Sequence, residues 1–340
     1  MRASDRERSG LPSVTVLIPT YERAGFLEQA IDSVLAQDYD ALELLVLDDG
    51  STDGTPEILE RYAREHPPER FRWTRHDNVG QARTLNRGFE LAGGELVGYL
   101  SSDDALLPGA VPALAAAFVA EPEVVVAYPA WEYIDEGGER IDTVMPEEFT
   151  LLHAIRASDP VIGPGALLRR SAVDEVGGWD PGIVYSADFE FWTRVSTLGP
   201  FRRVAENLAQ YRWHEGMTGR SSTGIQIARE RVAIVDRVYA GADLPPELLA
   251  VEAEAYRSAY LAGAGLLGGN APWERFFLGD RLVSRTFPER RQALAATSAK
   301  LRARAAELEN ELQQVGGQIA ALGDTLARRE MEIAGREAGG

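Results

Sequence analysis

Between residues 14 and 127, short apolar runs alternate with stretches whose apolar residues recur at helical spacing, and this alternation constrains the fold more than any other feature. Val14 to Ile18 reads as a buried strand ending at Pro19. Phe26, Leu27, Ala30, Ile31, Val34 and Leu35 follow at the spacing of an amphipathic helix. Leu42 to Leu47 is a second strand, and Thr55 followed by Pro56 reads as an N-cap opening a helix to about Arg64. Phe71 to Thr74 reads as a strand, Gly80 to Ala92 as a helix and Glu95 to Ser101 as a strand. Pro108 to Ala120 is a further helix, and Val124 to Ala127 a further strand. A βαβαβαβ order of this kind implies an α/β fold with a mostly parallel sheet and helices on both faces. Ligands of such sheets bind beyond the carboxyl ends of the strands. Three of those ends are polar: Thr20-Tyr21-Glu22, Asp48-Asp49-Gly50-Ser51 and Ser101-Ser102-Asp103-Asp104.

After residue 128 the pattern changes to α+β. Trp131 to Val144 reads as a hairpin around Gly137-Gly138, Gly163 to Arg170 as a strand and Gly177 to Asp180 as a turn. Ser186 caps a helix to about Leu198, and Phe201 to His214 returns as strand. From about Ile225 the chain is helical. Leu294, Leu301, Leu308, Val315 and Leu322 fall seven apart, with Leu312, Ile319, Leu326 and Ile333 interleaved, the seam of a coiled coil. Gly316, Gly317 and Gly323 weaken that helix, so a long amphipathic helix folded back on the domain is the competing expectation.

Composition narrows the chemistry. With 53 acidic and 35 basic residues the net charge is −18, which lacks the cationic surplus that nucleic-acid binding needs. There is no cysteine, which excludes disulfides, thiol nucleophiles and Cys-ligated metals. The apolar window from Ala105 to Tyr128 is broken by Pro108, Pro112, Glu121, Pro122 and Glu123, so no transmembrane segment is expected. The phosphate-cradling, dinucleotide-binding and nucleophile-elbow glycine motifs are absent.

Each candidate residue has a functional and a bland explanation. Asp103 and Asp104, adjacent at a strand end, suit a hard divalent cation or simply an acidic helix entry. Asp48 and Asp49 suit a nucleobase or ribose, or a turn. Tyr21 offers a stacking face or packs under a helix. Asp188 suits a general base, or an acid stabilised at a helix N-terminus. Of the four histidines, His214 follows a strand and suits a metal or a diphosphate, or a surface hydrogen bond.

In order and spacing, nine stretches across about residues 13 to 220 resemble the family 2 glycosyltransferases of GT-A fold. They are Val16 to Arg23 (VLIPTYER), Ile31 to Gln37, Val46 to Thr55 (VLDDGSTDGT), Asn78-Val79-Gly80 with Leu85 to Gly88, Ala92 to Glu95, Tyr99 to Asp104 (YLSSDD), Gly177 to Asp180, Ala187 to Arg194 (ADFEFWTR) and Tyr211 to His214. The resemblance implies a metal-dependent inverting transfer of sugar from a nucleoside-diphosphate sugar to a hydroxyl acceptor, in bacterial surface polysaccharide or glycan synthesis. By matching position, Pro19, Thr20, Tyr21 and Glu22 would line the nucleotide pocket and Asp49 would hold the base. Asn78, Gly80, Arg83, Ser102 and Asp103 would complete the donor site. Asp104 and His214 would bind Mg²⁺ or Mn²⁺, and Asp188 would be the catalytic base. Trp179, Asp180, Trp192 and Arg194 would shape the acceptor side. The family commonly carries Asp where this chain has Ser101 or Ser102, and Arg where it has Leu85.

The implied partners are the donor and a glycan or lipid-linked acceptor, with no nucleic acid. The implied place is the cytoplasm, with peripheral contact at the inner face of the membrane where the acceptor is lipid-linked. The expected organisation is a disordered N-terminus over 1–12, a GT-A domain over 13–222, a helical extension over 223–290 and a coiled-coil-like helix over 291–337 that would pair two copies. Two other functions fit a related plan: a transferase-like scaffold assembling partners through its coiled coil, and a sugar nucleotidyltransferase. The latter needs a glycine-rich basic loop where Pro19-Thr20-Tyr21 stands.

Overall fold

The computed structural model describes residues 10–159, 162–214, 224–241 and 244–264. The chain divides into units 1–271 and 272–340, and every described residue belongs to the first. The coiled-coil expectation for 291–337, and most of that for the N-terminus, fall outside the described residues.

The first half follows the alternation. Strands β1 (Val14–Thr20), β2 (Leu42–Asp48), β3 (Phe71–Arg75) and β4 (Leu96–Tyr99) are linked by helices α1 (Ala24–Leu35), α2 (Thr55–Glu65) and α3 (Gln81–Leu91). They pair in parallel in the order β3-β2-β1-β4. Side chains alternate across a strand, so each strand serves two cores. Val14, Val16, Ile18, Leu42, Leu44 and Val46 join one cluster with Leu27, Ile31, Val34, Leu59 and Tyr62 of α1 and α2. Leu17 and Leu47 face the other way, where α3 comes so close that a Cβ on Gly88 would lie 2.6 Å from Leu47 Cδ1 and 3.0 Å from Leu17 Cδ1. The reversal at β1 puts α3 on the opposite face from α1 and α2, as right-handed crossovers require.

The second half joins this sheet antiparallel. Beyond β4 the order runs β8 (Leu167–Arg169), β6 (Val126–Ile134), β9 (Phe201–Arg212) and β5 (Ala105–Leu106), with β7 (Arg140–Val144) paired to β6. β8 pairs antiparallel with both β4 and β6, whereas β9 runs parallel to β6. The sheet is therefore mixed, with its parallel alternation confined to the half that the periodicity described. Helix α4 (Ala110–Ala120) packs on β6 and β9.

Several elements differ from expectation in extent. The strand ending at Ala127 and the first arm of the hairpin are one strand, β6. Two short helices, α5 (Leu151–Ala157) and α6 (Arg170–Val176), stand in stretches for which no element was expected. At α2 the N-cap is Gly54 rather than Thr55, and the Asp53 carboxylate accepts the Thr55 N–H at 3.0 Å. The Asp53 carboxylate thus satisfies the first orphan amide, and Thr55 enters the helix instead of capping it. Helix α7 (Ala187–Val195) is followed by β9, then by α8 (Gly224–Tyr239), α9 (Pro246–Ala250) and α10 (Glu252–Ala264). α8 packs on α7, and α10 on α8 and α5.

Candidate active site

A cleft of about 540 Å³ opens at the carboxyl ends of β1, β2 and β4. That size is within the range of small-molecule sites. Pro19, Thr20, Tyr21, Asp49, Asn78, Gly80, Arg83, Ser102 and Asp103 all line it, together with Arg23. Trp179, Pro181, Ile183, Val184 and Ala187 form the facing wall. Residues from strand ends far apart in sequence therefore share one concavity, with Tyr21 presenting an exposed ring. The Thr20 hydroxyl and the Trp179 indole N–H are buried without a hydrogen-bond partner in the protein, although both residues line the cleft.

Asp49 is buried and bound at both oxygens. It accepts the N–H of Val79 at 2.7 Å and of Gly80 at 2.9 Å, and His76 Nε2 lies 3.3 Å away. The carboxylate thus fixes the β3–α3 loop that carries Asn78 and Gly80, and each oxygen retains a second lone pair for a ligand. Asp48 points inward, accepting Ser51 N–H at 2.9 Å and facing Arg75 Nε at 3.3 Å.

Glu22, which follows Tyr21, is not among the residues that line the cleft. Its carboxylate accepts both the N–H and the hydroxyl of Thr52, at 2.7 and 2.9 Å, and its own N–H donates to Ser51 Oγ at 3.0 Å. These bonds clamp the β1 exit to the β2 exit and hold Glu22 at φ +53°. Its polar atoms serve the loop scaffold, which is why the chain tolerates a left-handed non-glycine residue there.

Asp103, Asp104 and His214 gather at the end of β9. Asp103 Oδ2 is 3.0 Å from His214 Nε2 and 3.9 Å from Arg23 Nε. Asp104 is buried and accepts the Arg212 N–H at 2.9 Å. Arg212 is itself buried. It donates to the carbonyls of Asp103, Asp135 and Glu136 and to Gln29 Oε1, and lies over the Phe26 ring. Burial, and then the Asp103 charge, push the Asp104 carboxyl well above the usual carboxylate range, against the Arg212 N–H and guanidinium. Two carboxylates and an imidazole are a donor set suited to a hard divalent cation, which would relieve that repulsion. Among the described residues, however, no three His, Asp or Glu side chains are gathered closely enough to hold a metal ion.

Asp188 is half-buried at the start of α7 and accepts the Phe189 N–H at 2.7 Å. It does not itself line the cleft, although Ala187 does. Burial raises its pKa, opposed by the Phe189 N–H and the Arg231 charge. Its charge and that of Asp104 both raise Tyr99, after burial. Burial first, and then the same two carboxylates with Asp103, raise Tyr211. The acids of the sheet and of α7 thus act on the same two phenols.

The facing wall is tied down by Asn86. Its amide donates to the Trp179 carbonyl at 2.8 Å and accepts the Trp179 N–H at 2.7 Å. A Cβ on Gly178 would lie 2.1 Å from Asn86 Oδ1, so only glycine fits there. The Trp179 ring packs edge-on against Tyr99. Trp192 is in the core, tilted against Phe191 and edge-on to Phe201, and does not line the cleft. Arg194 donates to the carbonyls of Val176 and Gly178 and pairs with Glu190 at 2.7 Å. Asp180 pairs with Arg237, also at 2.7 Å. Tyr99, Tyr211 and Arg212 lay inside recognised stretches but carried no assigned role. Glu230 and Arg231, on α8, had no local signal at all.

Residues 15–177 match the model of the glycosyl transferase family 2. An uncharacterised glycosyltransferase of Nostoc is 28% identical over 241 residues, covering 65% of this chain and 72% of its own. One from Rickettsia typhi is 26% identical over 219 residues, covering 61% of this chain and 66%, just under two thirds, of its own length. Chondroitin synthase of Escherichia coli is 27% identical over 203 residues, covering 57% of this chain and 28% of its own. Among solved structures, S. aureus TarS 1–349 in complex with UDP-GlcNAc superposes with a TM-score of 0.62 at 19% identity, covering 77% of each chain. The mannosyltransferase PcManGT of Pyrobaculum calidifontis, in complex with GDP-Man and Mn²⁺, gives 0.56 at 21% identity, covering 86% of this chain and 80% of its own. At such identities the structures establish a shared fold.

Proposed function

Given that residues 15–177 make this chain a family 2 glycosyltransferase, we propose that it transfers a sugar from a nucleoside diphosphate to an acceptor hydroxyl, with inversion, and that a divalent cation assists. The observation that carries this reading is the arrangement of acids around one cleft: Asp49 and Asp103 in its lining, Asp104 behind them, and Asp188 on the opposing helix. Tyr21 would stack on the base, and Asp49 would accept from it. Solved neighbours hold UDP-GlcNAc and GDP-Man, so donors of both kinds are the first to try.

Mg²⁺ or Mn²⁺ would be held by Asp103, Asp104 and His214 only once the three draw closer than they stand in this structure. The ion would supply positive charge for the diphosphate as it leaves. Asp188 would take the acceptor proton while the hydroxyl oxygen bonds to the anomeric carbon. The bond from that carbon to the diphosphate oxygen breaks on the opposite face. The raised pKa of Asp188 makes it a better base than an exposed aspartate. The Trp179 to Val184 wall would bound the acceptor site, and a glycan or lipid-linked sugar of a bacterial surface polymer is the acceptor class proposed. Peripheral contact with a membrane would bring the protein to a lipid-linked one; among the described residues, no helix is long and apolar enough to cross a membrane. Pairing of two chains through residues 291–337 belongs to the same proposal.

Thermal denaturation with UDP, GDP, dTDP and CDP, each with and without Mn²⁺, tests the donor. A nucleotide at 100 times its Kd should stabilise the protein by about 2.7 kcal/mol. One nucleotide should do so with metal, and Asp104→Ala should abolish the effect. Asp188→Asn should keep nucleotide binding while turnover falls about 10²- to 10⁴-fold. Full turnover in Asp188→Asn would reject the base.

A further inference from the structure

The family match stops at residue 177, yet the helix carrying Asp188 begins at Ala187 and is held by a later helix, α8. Helix α7 has no cap of its own: Ser186, at its N-cap, makes no side-chain capping bond. The cap comes from 44 residues downstream. The buried Glu230 carboxylate accepts three consecutive amide hydrogens, from Val184 at 3.0 Å, Tyr185 at 2.8 Å and Ser186 at 3.0 Å. A carboxylate bound by three amides has little freedom, and neither has the backbone it binds. The next residue, Arg231, donates to the Ser158 carbonyl and lies 5.7 Å above the ring of Phe189, the residue that follows the base in the chain. Two turns on, Arg237 bonds to Glu190 at 3.1 Å and to Asp180 at 2.7 Å. α8 therefore grips α7 and the wall before it at three places, and the charge at the middle one favours the ionised Asp188 carboxylate.

We propose that Glu230 and Arg231 are positioning residues for the base: Glu230 fixes the backbone from which α7 starts, and Arg231 keeps a positive charge beside the Asp188 carboxylate. This rests on the reading of Asp188 as base. The charged and titratable groups acting on or beside Asp188 are Tyr99 of β4, Tyr211 of β9, Asp159 after α5, and Arg231 of α8. Arg231 favours the ionised acid and Asp159 disfavours it. A base accepts a proton only when ionised, so turnover falls as pH drops through its pKa. Removing Arg231 should move that acid limb up, and removing Asp159 should move it down.

The test uses the full chain with UDP-GlcNAc, UDP-glucose, dTDP-glucose and GDP-mannose as donors and water as acceptor, reading nucleoside diphosphate release against pH. With the donor that is turned over, Arg231→Gln should shift the acid limb of kcat upward by about half a unit or more, and Arg231→Lys should restore it. Asp159→Asn should shift it the opposite way. Glu230→Gln should lower kcat about tenfold with the donor KM within about twofold of wild type. A loosened fold would not move the limb in opposite directions in two variants. An unmoved limb in both Arg231→Gln and Asp159→Asn, or equal losses of kcat and donor affinity in Glu230→Gln, would overturn the proposal. Should Asp188→Asn turn over donor like wild type, or wild type release no nucleoside diphosphate, the base reading fails and takes this proposal with it. If Asp188→Asn is inactive and the limbs stay fixed, this proposal alone fails.

Discussion

The Asn86 carboxamide satisfies both backbone groups of Trp179, so Asn86→Ala leaves a buried N–H and carbonyl without partners. Each orphaned group costs about 1–3 kcal/mol. Urea denaturation of Asn86→Ala should therefore show a loss of about 2 kcal/mol or more. Asn86→Asp should recover part of it, because a carboxylate can still accept from the Trp179 N–H but cannot donate to the carbonyl. An unchanged midpoint in Asn86→Ala would show that the turn stands without Asn86. At this scale the sequence was legible where chemistry is written locally. The paired acids at strand ends could be picked out because two adjacent carboxylates after an apolar strand are costly without a partner. The scaffold bonds of Glu22 could not be read locally, because its partners, Thr52 and Ser51, lie about 30 residues away. Arg212 and Glu230 were not legible, since each acts through backbone groups more than 40 residues distant and leaves no motif.

Among the elements, β4 is where the two halves of the sheet meet. It pairs parallel with β1 and antiparallel with β8, and Gly98 takes part in both pairings, opposite Val16 and Leu167. A Cβ there would lie 2.6 Å from the Ala166 carbonyl oxygen and 2.7 Å from Leu167 Cδ2. A leucine methyl can turn aside, but a carbonyl held in a strand pair cannot. Gly98→Ala should therefore cost about 1–3 kcal/mol through overpacking, more than alanine regains by stiffening the unfolded chain. Gly88→Ala meets only leucine methyls, and about 1 kcal/mol of helix propensity offsets the crowding, so its midpoint should fall less. Chemical denaturation of the two variants side by side checks that order. The same seam explains which elements could be read in advance. Before it, each strand carries its own period of two, and each helix its own amphipathic face. After it, β8 has three residues and α6 seven, too short for a period to declare itself, and their pairing is settled by partners distant in sequence.

Across the whole molecule, the groups that hold the site extend well past the part that resembles other proteins. The family match ends at 177, while Glu230, Arg231 and Arg237 reach back to 158, 180 and 184–190. A chain ending at residue 214 would strip three amides of their acceptor and leave the buried Glu190 with Arg194 alone. Its thermal transition should fall by 10 °C or more, on the order of several kcal/mol, and its donor turnover should be lost. A truncated chain as stable and active as the full one would show that α8 is dispensable. The bonds that hold residues 178–186 have a further consequence. Asn86 binds the backbone of Trp179, Arg194 the carbonyl of Gly178, and Glu230 the amides of 184–186. None of these fixtures grips a side chain of the loop it holds. The exposed side chains at 181 and 184 can therefore be exchanged while the loop keeps its shape, so the chemistry of this wall can be altered by point substitution alone, with no need to rebuild the fold behind it.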